Sequence, residues 1–286
     1  MEVLRVALWP VGIGRRLEGL GAWLAALDAR AAEAAGRKAA LLVLPEYACQ
    51  QWLTFAPPSL RPEGEIAWLA RLAPAALSGA RAIARRHGLA ILAGTMPEPA
   101  AGGFRNTACF LAEDGTIHRQ AKLVLTPFER DPAAWTLVAG DAIHPFRWRG
   151  LTVAVMVCLD VEQPGLAAAL LARAPDLVLV PSQTALASGY HRVAACARAR
   201  AVELCCPVAT VGTAGRIAWN GQDEPNTGGA AAYLPAETVL GSTGIALDSG
   251  PLDADPDRMF VADLPVGRCR ALRQSGAEVW VSPLDA

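Results

Sequence analysis

From the N-terminus to Gly212, short blocks of consecutive apolar residues alternate with longer Ala-rich stretches. Leu4–Leu8, Ala40–Leu44, Ala90–Thr95, Leu151–Val157, Leu177–Val180 and Val208–Val211 are too short for helices and rich in aliphatic side chains, which predicts buried strands. Leu17–Ala35 and Ile66–His87 repeat apolar positions at helical spacing, and each is followed by a glycine, Gly36 or Gly88, that stops a helix. Pro74 falls inside the second, where it can interrupt the hydrogen-bond ladder. Leu166–Ala172 and His191–Leu204 predict two further helices.

Two hairpins are also written into the pattern. Asn106–Leu111 and Ile117–Arg119 flank Glu113-Asp114-Gly115-Thr116, whose Asp-Gly step is a strong turn signal; Phe146–Trp148 and Leu151–Val157 flank Arg149-Gly150 in the same way. After Gly212 helical periodicity is weak, and Ala231–Leu234 and Arg258–Ala262 predict short strands. Alternating strands and helices followed by hairpins give an α/β fold, and a single domain over residues 1–286 is expected at this length and apolar content, 53%.

Charge narrows the function. Lys and Arg number 26 against 27 Asp and Glu, with no dense basic run, so no nucleic-acid partner is expected. Charges or prolines interrupt every apolar stretch before membrane-spanning length, and Met1–Arg5 lacks a signal-peptide layout, so no membrane partner and a cytoplasmic location are expected. The seven cysteines contain no Cys-x-x-Cys pair and suit neither a zinc site nor a disulfide framework, which points to a reducing compartment and to no metal or cofactor.

One cysteine stands apart. Cys158 ends the apolar run Leu151–Val157 and is followed by Leu159-Asp160, and a rigid strand turning at a thiol is a place where α/β enzymes expose a nucleophile. Inert packing is the ordinary fate of a lone cysteine. Glu46, however, ends a second such strand through Leu44-Pro45-Glu46, and Lys122 follows the short strand at Ile117. Each charge alone reads more readily as a solvated surface group than as a site residue.

In that order the segments Leu44-Pro45-Glu46-Tyr47, Ala121-Lys122-Leu123 and Val157-Cys158-Leu159-Asp160, closed by Pro164, resemble the nitrilase or carbon-nitrogen hydrolase superfamily, in its amidase-like branch. Arg105-Asn106-Thr107-Ala108, Pro127-Phe128-Glu129, Arg198–Glu203 and Gly228-Gly229-Ala230, where serine is usual at the last position, extend the likeness to about Asp263. The resemblance implies a four-layer α-β-β-α sandwich, a homodimer or higher oligomer, and a Glu-Lys-Cys triad of Glu46, Lys122 and Cys158. It further implies that Glu129 orients the lysine, though Glu129 also reads as a surface partner of Arg130.

The chemistry this implies is hydrolysis of a small amide through a cysteine thioester. Glu46 moves the proton, and Lys122 with the Leu159 backbone N–H faces the oxyanion. A small nitrile substrate, acyl transfer to an amine, and a silent binding role stay open. Leu159 stands where nitrilases carry tryptophan, which favours amides. Tyr47, Phe128, Gln183 and Thr184 are candidate pocket walls. Glu162 stands where relatives often carry arginine, so it either lines the pocket and favours amine-bearing substrates or caps the following helix.

Overall fold

The computed structural model describes residues 2–131, 135–219, 222–254 and 258–278. Strands β1 (Leu4–Leu8), β2 (Leu41–Val43), β3 (Ala90–Ala100), β4 (Gly103–Leu111) and β5 (Ile117–Ala121) form one six-stranded sheet with the late strand β14 (Phe260–Leu264), in the order β14-β1-β2-β3-β4-β5. The second sheet contains β6 (Phe146–Trp148), β7 (Leu151–Val155), β8 (Leu177–Ser182), β9 (Val208–Gly212), β12 (Ala230–Tyr233) and β13 (Ile245–Asp248), ordered β13-β12-β9-β8-β7-β6. A separate hairpin joins β10 (Gly215–Trp219) to β11 (Gln222–Asn226).

The first sheet shows why its strands are apolar on both faces. Val6, Leu8, Leu41, Val43 and Leu92 pack toward the second sheet with Phe110, Val153 and Leu177, whereas Ala7, Leu42 and Ile91 turn the other way. There they meet Trp23 and Leu27 of helix α1 (Leu20–Gly36) and Leu69 and Ile83 of helix α2 (Glu65–His87). Helices α4 (Pro164–Leu171) and α5 (Ala187–Glu203) supply Leu170, Val193, Ala197 and Ala201 to the core of the second sheet. The result is two sheets face to face with helices outside.

Both anticipated hairpins form. Leu111 pairs with Ile117 across a turn in which Gly115 is left-handed, and Trp148 pairs with Leu151 across Arg149-Gly150, both at positive φ as a two-residue hairpin requires. Pro74 does not interrupt α2. A proline inside a helix costs about 3 kcal/mol, but each buried Ile, Leu or Trp of that helix contributes about 1.5–3 kcal/mol, so packing prevails. Pro74 itself is exposed.

Several elements differ from expectation: α5 begins at Ala187 rather than His191, and α1 at Leu20 rather than Leu17. β3 runs on to Ala100 and turns at Gly102-Gly103 directly into β4, a glycine turn that the apolar pattern does not mark. Helix α6 (Val266–Ser275) occupies a stretch of weak periodicity. Polar ties hold it, since Arg270 and Arg273 both bind the buried Asp176, at 2.8 Å and 2.6 Å.

Candidate active site

Glu46 is delivered by a strand end with an unusual neighbour. Leu44 N–H still donates to the Leu92 carbonyl at 2.9 Å, and then the chain turns through Tyr47, which is left-handed at φ 48°. That turn rests on an irregularity of β3 between Leu92 and Thr95, where Tyr47 N–H donates to the Thr95 hydroxyl at 2.9 Å. Gly94 within it has φ 70°, and a Cβ there would fall 2.1 Å from the Pro45 carbonyl oxygen. No other residue fits. The glycine thereby sets the direction in which Glu46 leaves the sheet.

Lys122 continues the β4–β5 ladder, its N–H donating to the Asn106 carbonyl at 2.8 Å. Its ammonium lies 2.9 Å from Glu46 Oε1 and 2.8 Å from Glu129 Oε2, with the lysine side chain only 2% exposed. Glu129 belongs to the short helix α3 (Pro127–Arg130), where it forms a reciprocal capping box with Thr126. Its Oε1 accepts from Tyr47 OH at 3.1 Å and from Asn106 Nδ2 at 3.2 Å, and the same amide donates to Glu46 Oε1 at 2.8 Å. Two carboxylates thus share one lysine and one asparagine.

The environment separates their titration. Burial and the neighbouring Glu129 charge raise Glu46 against the pull of Lys122. Burial also works on Glu129, but Lys122, Thr126 and Asn106 together hold it below the usual carboxylate value. For Lys122, burial opposes the charge, and Glu46, Cys158 and Glu129 overcome it, so the ammonium is held above its ordinary value.

Cys158 follows β7 at φ 50°, a left-handed conformation that an L side chain adopts at a cost and that recurs at functional turns. It opens a single turn of 3-10 helix, Cys158–Glu162. The Asp160 carboxylate holds this turn by accepting from Val157 N–H at 3.1 Å, and Arg200 of α5 braces it by donating to the Val161 carbonyl at 3.1 Å. The thiol donates within reach of Glu46 and of the Gln183 carbonyl, 3.5 Å away, while Gln183 N–H donates to Glu46 Oε2 at 2.8 Å. Burial, then the Glu46 charge, push the thiol well above its ordinary pKa.

A cavity of about 530 Å³ opens at this cluster. Glu46, Lys122, Glu129 and Gln183 line its polar end, and Cys158, 5% exposed, lies against Glu46 and Gln183. Tyr47, Phe128 and Trp135 form an aromatic wall, the rings edge-on at centroid distances of 5.0 Å and 5.2 Å. Glu65, Glu224 and Asn226 complete the far side.

The expected pocket residues therefore divide. Tyr47, Phe128 and Gln183 line the cavity, whereas Leu159, Glu162 and Thr184 stand outside the lining. Thr184 donates to the Thr227 carbonyl at 2.7 Å. Glu162 pairs with Arg192 of α5 at 3.1 Å, and the N-cap residue of α4 is Gln163. A partner 30 residues away on another helix claims Glu162. Glu65, Trp135, Gln50 and Asn226 are lining residues absent from the sequence reading. The acidic residue opening α2 was a usable signal for Glu65, but such residues are ordinarily helix-end charges.

Among the described residues, no group of three or more His, Cys, Asp or Glu side chains is placed to hold a metal. None of the described helices is long and apolar enough to cross a membrane.

The chain is similar to the probable hydrolase YhcX of Bacillus subtilis, 27% identical over 194 residues, which span 68% of this chain and 37% of that protein. Among solved structures, a variant of the amidase from Nesterenkonia sp. AN1 in complex with acrylamide is 25% identical with a TM-score of 0.70, covering 93% of this chain and 92% of that one. Another structure of that amidase carries the acetamide moiety of fluoroacetamide covalently added at its active-site cysteine, at 25% identity and a TM-score of 0.69 over 95% of this chain and 96% of that one. A carbon-nitrogen hydrolase from Helicobacter pylori shares the fold at TM-score 0.75, with 15% identity over 96% and 92% of the two chains. The carbon-nitrogen hydrolase family model matches residues 11–274, which include every strand of both sheets except β1 and every residue of the buried cluster, and the chain belongs to that family.

Proposed function

We propose that this carbon-nitrogen hydrolase is an amidase that cleaves a small amide through a thioester on Cys158. The observation carrying this reading is the cluster in which Glu46 and Lys122, at the polar end of the cavity, act on the adjoining Cys158 thiol. The acetamide adduct at the active-site cysteine of a mutant of the Nesterenkonia amidase supports the nucleophilic part of this reading.

The Cys158 sulfur attacks the amide carbon as its proton passes to Glu46. Burial raises the thiol and also raises Glu46, which makes the carboxylate a stronger base, and the proton transfer accompanies attack. The C=O π electrons move to oxygen, and the oxyanion faces the Lys122 ammonium and the Leu159 N–H. Glu46 then gives its proton to the leaving nitrogen, the C–N bond breaks, and ammonia or an amine departs. Water adds to the thioester with its proton going to Glu46, and collapse of that second oxyanion breaks the C–S bond. The acid leaves and Cys158 recovers its proton from Glu46.

Glu129 keeps Lys122 charged and aimed while its own charge stays fixed. A panel of short amides and the matching nitriles, assayed for ammonia with and without an added amine acceptor, tests the reading. Hydrolysis of amides by the wild type and none by Cys158→Ala is expected. Turnover of nitriles alone, or acyl transfer in preference to water, contradicts it.

A further inference from the structure

The far end of the cavity carries an acceptor with nothing to accept. Glu65 is 4% exposed, lines the cavity, and its Oε1 has no hydrogen-bond partner, although Trp135 donates to the carboxylate. The other buried carboxylates of the cavity are satisfied, Glu46 by Lys122, Asn106 and Gln183, and Glu129 by Lys122, Tyr47, Asn106 and Thr126. Leaving a buried acceptor unmet is costly, and a ligand donor in the adjoining cavity would remove that cost.

Three further features define the donor. Glu224 stands on the same wall, so the distal end offers two carboxylates, and the single lysine of the lining is already engaged by Glu46 and Glu129. The rings of Tyr47, Trp135 and Phe128 run between the reacting cluster and Glu65, and aromatic faces attract ammonium groups. Burial, together with the like charges of Glu224 and Glu63, raises the Glu65 carboxyl to about 7, so an arriving cation would offset the cost of its charge.

Resting on the amidase reading, we infer that Glu65 is the specificity residue of this site and selects amides bearing a protonated primary amine at the end remote from the scissile bond. The amine preference considered for Glu162 is thereby assigned to a different residue. Glu162 already has Arg192.

The test is binding to the Cys158→Ala protein, which is independent of turnover. Aminovaleramide, its uncharged isostere hexanamide and the carboxylate analogue glutaramate are titrated calorimetrically at mildly alkaline pH, where Glu65 is ionised and the amine protonated. The amine is expected to bind about tenfold or more tighter than hexanamide, with glutaramate weakest. Adding Glu65→Gln, checked for an unchanged melting temperature, should bring amine and isostere together. Equal binding of the two in the presence of Glu65, no detectable binding of the amine, or a preference that survives Glu65→Gln overturns the inference. The comparison with Glu65 intact decides even if the variant does not fold. Hydrolysis of hexanamide with no amine preference removes only the inference, whereas amine binding without hydrolysis of any amide removes the amidase reading and leaves the binding site.

Discussion

The Asp160 carboxylate accepts the Val124 backbone N–H at 2.8 Å, and with its other oxygen it accepts from Val157, so one side chain joins the Lys122 loop to the Cys158 turn. Leu123 N–H donates to the same group at 3.1 Å. Neither loop is held to the other by a backbone ladder at this point, and the spacing of thiol and ammonium depends on this buried acid.

Asp160→Asn is the first prediction. An amide can accept on one side only, so its NH2 would face either Val157 N–H or the Leu123 and Val124 pair. Leaving such a buried donor unmet costs about 1–3 kcal/mol, to be read as a lowered midpoint in urea. The rate of amide hydrolysis should fall by about tenfold or more through lost alignment. Unchanged stability and rate would show that other contacts align the loops.

Removing the charge that two carboxylates share should be costlier for chemistry. Lys122→Ala is expected to lower turnover by about two orders of magnitude or more, the scale associated with losing one oxyanion donor. Lys122→Arg should not restore it, because a planar guanidinium cannot make the two short contacts of a compact ammonium to Glu46 and Glu129. Steady-state kinetics on a neutral amide checks both variants.

The Glu46 environment fixes the acid limb of activity. The carboxylate must be ionised to take the thiol proton, so activity is present above its folded pKa and lost below it. Burial raises that pKa, and the limb in kcat/KM should fall above the ordinary value of 4.5. A neutral amide and the Glu65→Gln background keep Glu65, which titrates at about 7, out of the profile. A limb at or below 4.5 would contradict the role of Glu46 as base.

Away from the site, Asp176 anchors α6 through Arg270 and Arg273 and also accepts from Thr152 N–H at 2.7 Å. Burial raises this carboxyl, but the arginines and Thr152 overcome it and its pKa is lowered. A lowered pKa contributes stability above the unfolded value, near 3.8, and that contribution is lost as pH falls through the folded pKa. Asp176→Asn should cost about 2–4 kcal/mol at neutral pH, less than a fully buried pair because Arg270 is partly exposed. The difference from wild type should shrink in acid, as urea titrations across pH would record.

Much of the reacting cluster is visible in the chain because its members end strands. A block of aliphatic residues that stops at Pro45-Glu46 or at Cys158 marks both the element and the exit point, and the order of Glu46, Lys122 and Cys158 carries the family likeness. The distal cavity is not legible in that way. Glu65 opens an amphipathic helix where acidic residues are common, and Trp135 sits in a stretch without periodicity. Both enter the site by tertiary placement. The pairing of Glu162 with Arg192 is hidden for the same reason, since nearness to Cys158 in sequence does not reveal the arginine beside it. Helix α6 escapes the apolar pattern because Asp176, far away in sequence, fixes it through charge.

The most direct measurement is intact-mass analysis, followed by peptide mapping, of protein quenched during turnover of a slow amide. An acyl adduct on Cys158 that decays with release of the acid is expected, with no adduct and no turnover in Cys158→Ala. An acyl group mapped to Cys205 or Cys206, or amide hydrolysis persisting in Cys158→Ala, would contradict a thioester at Cys158.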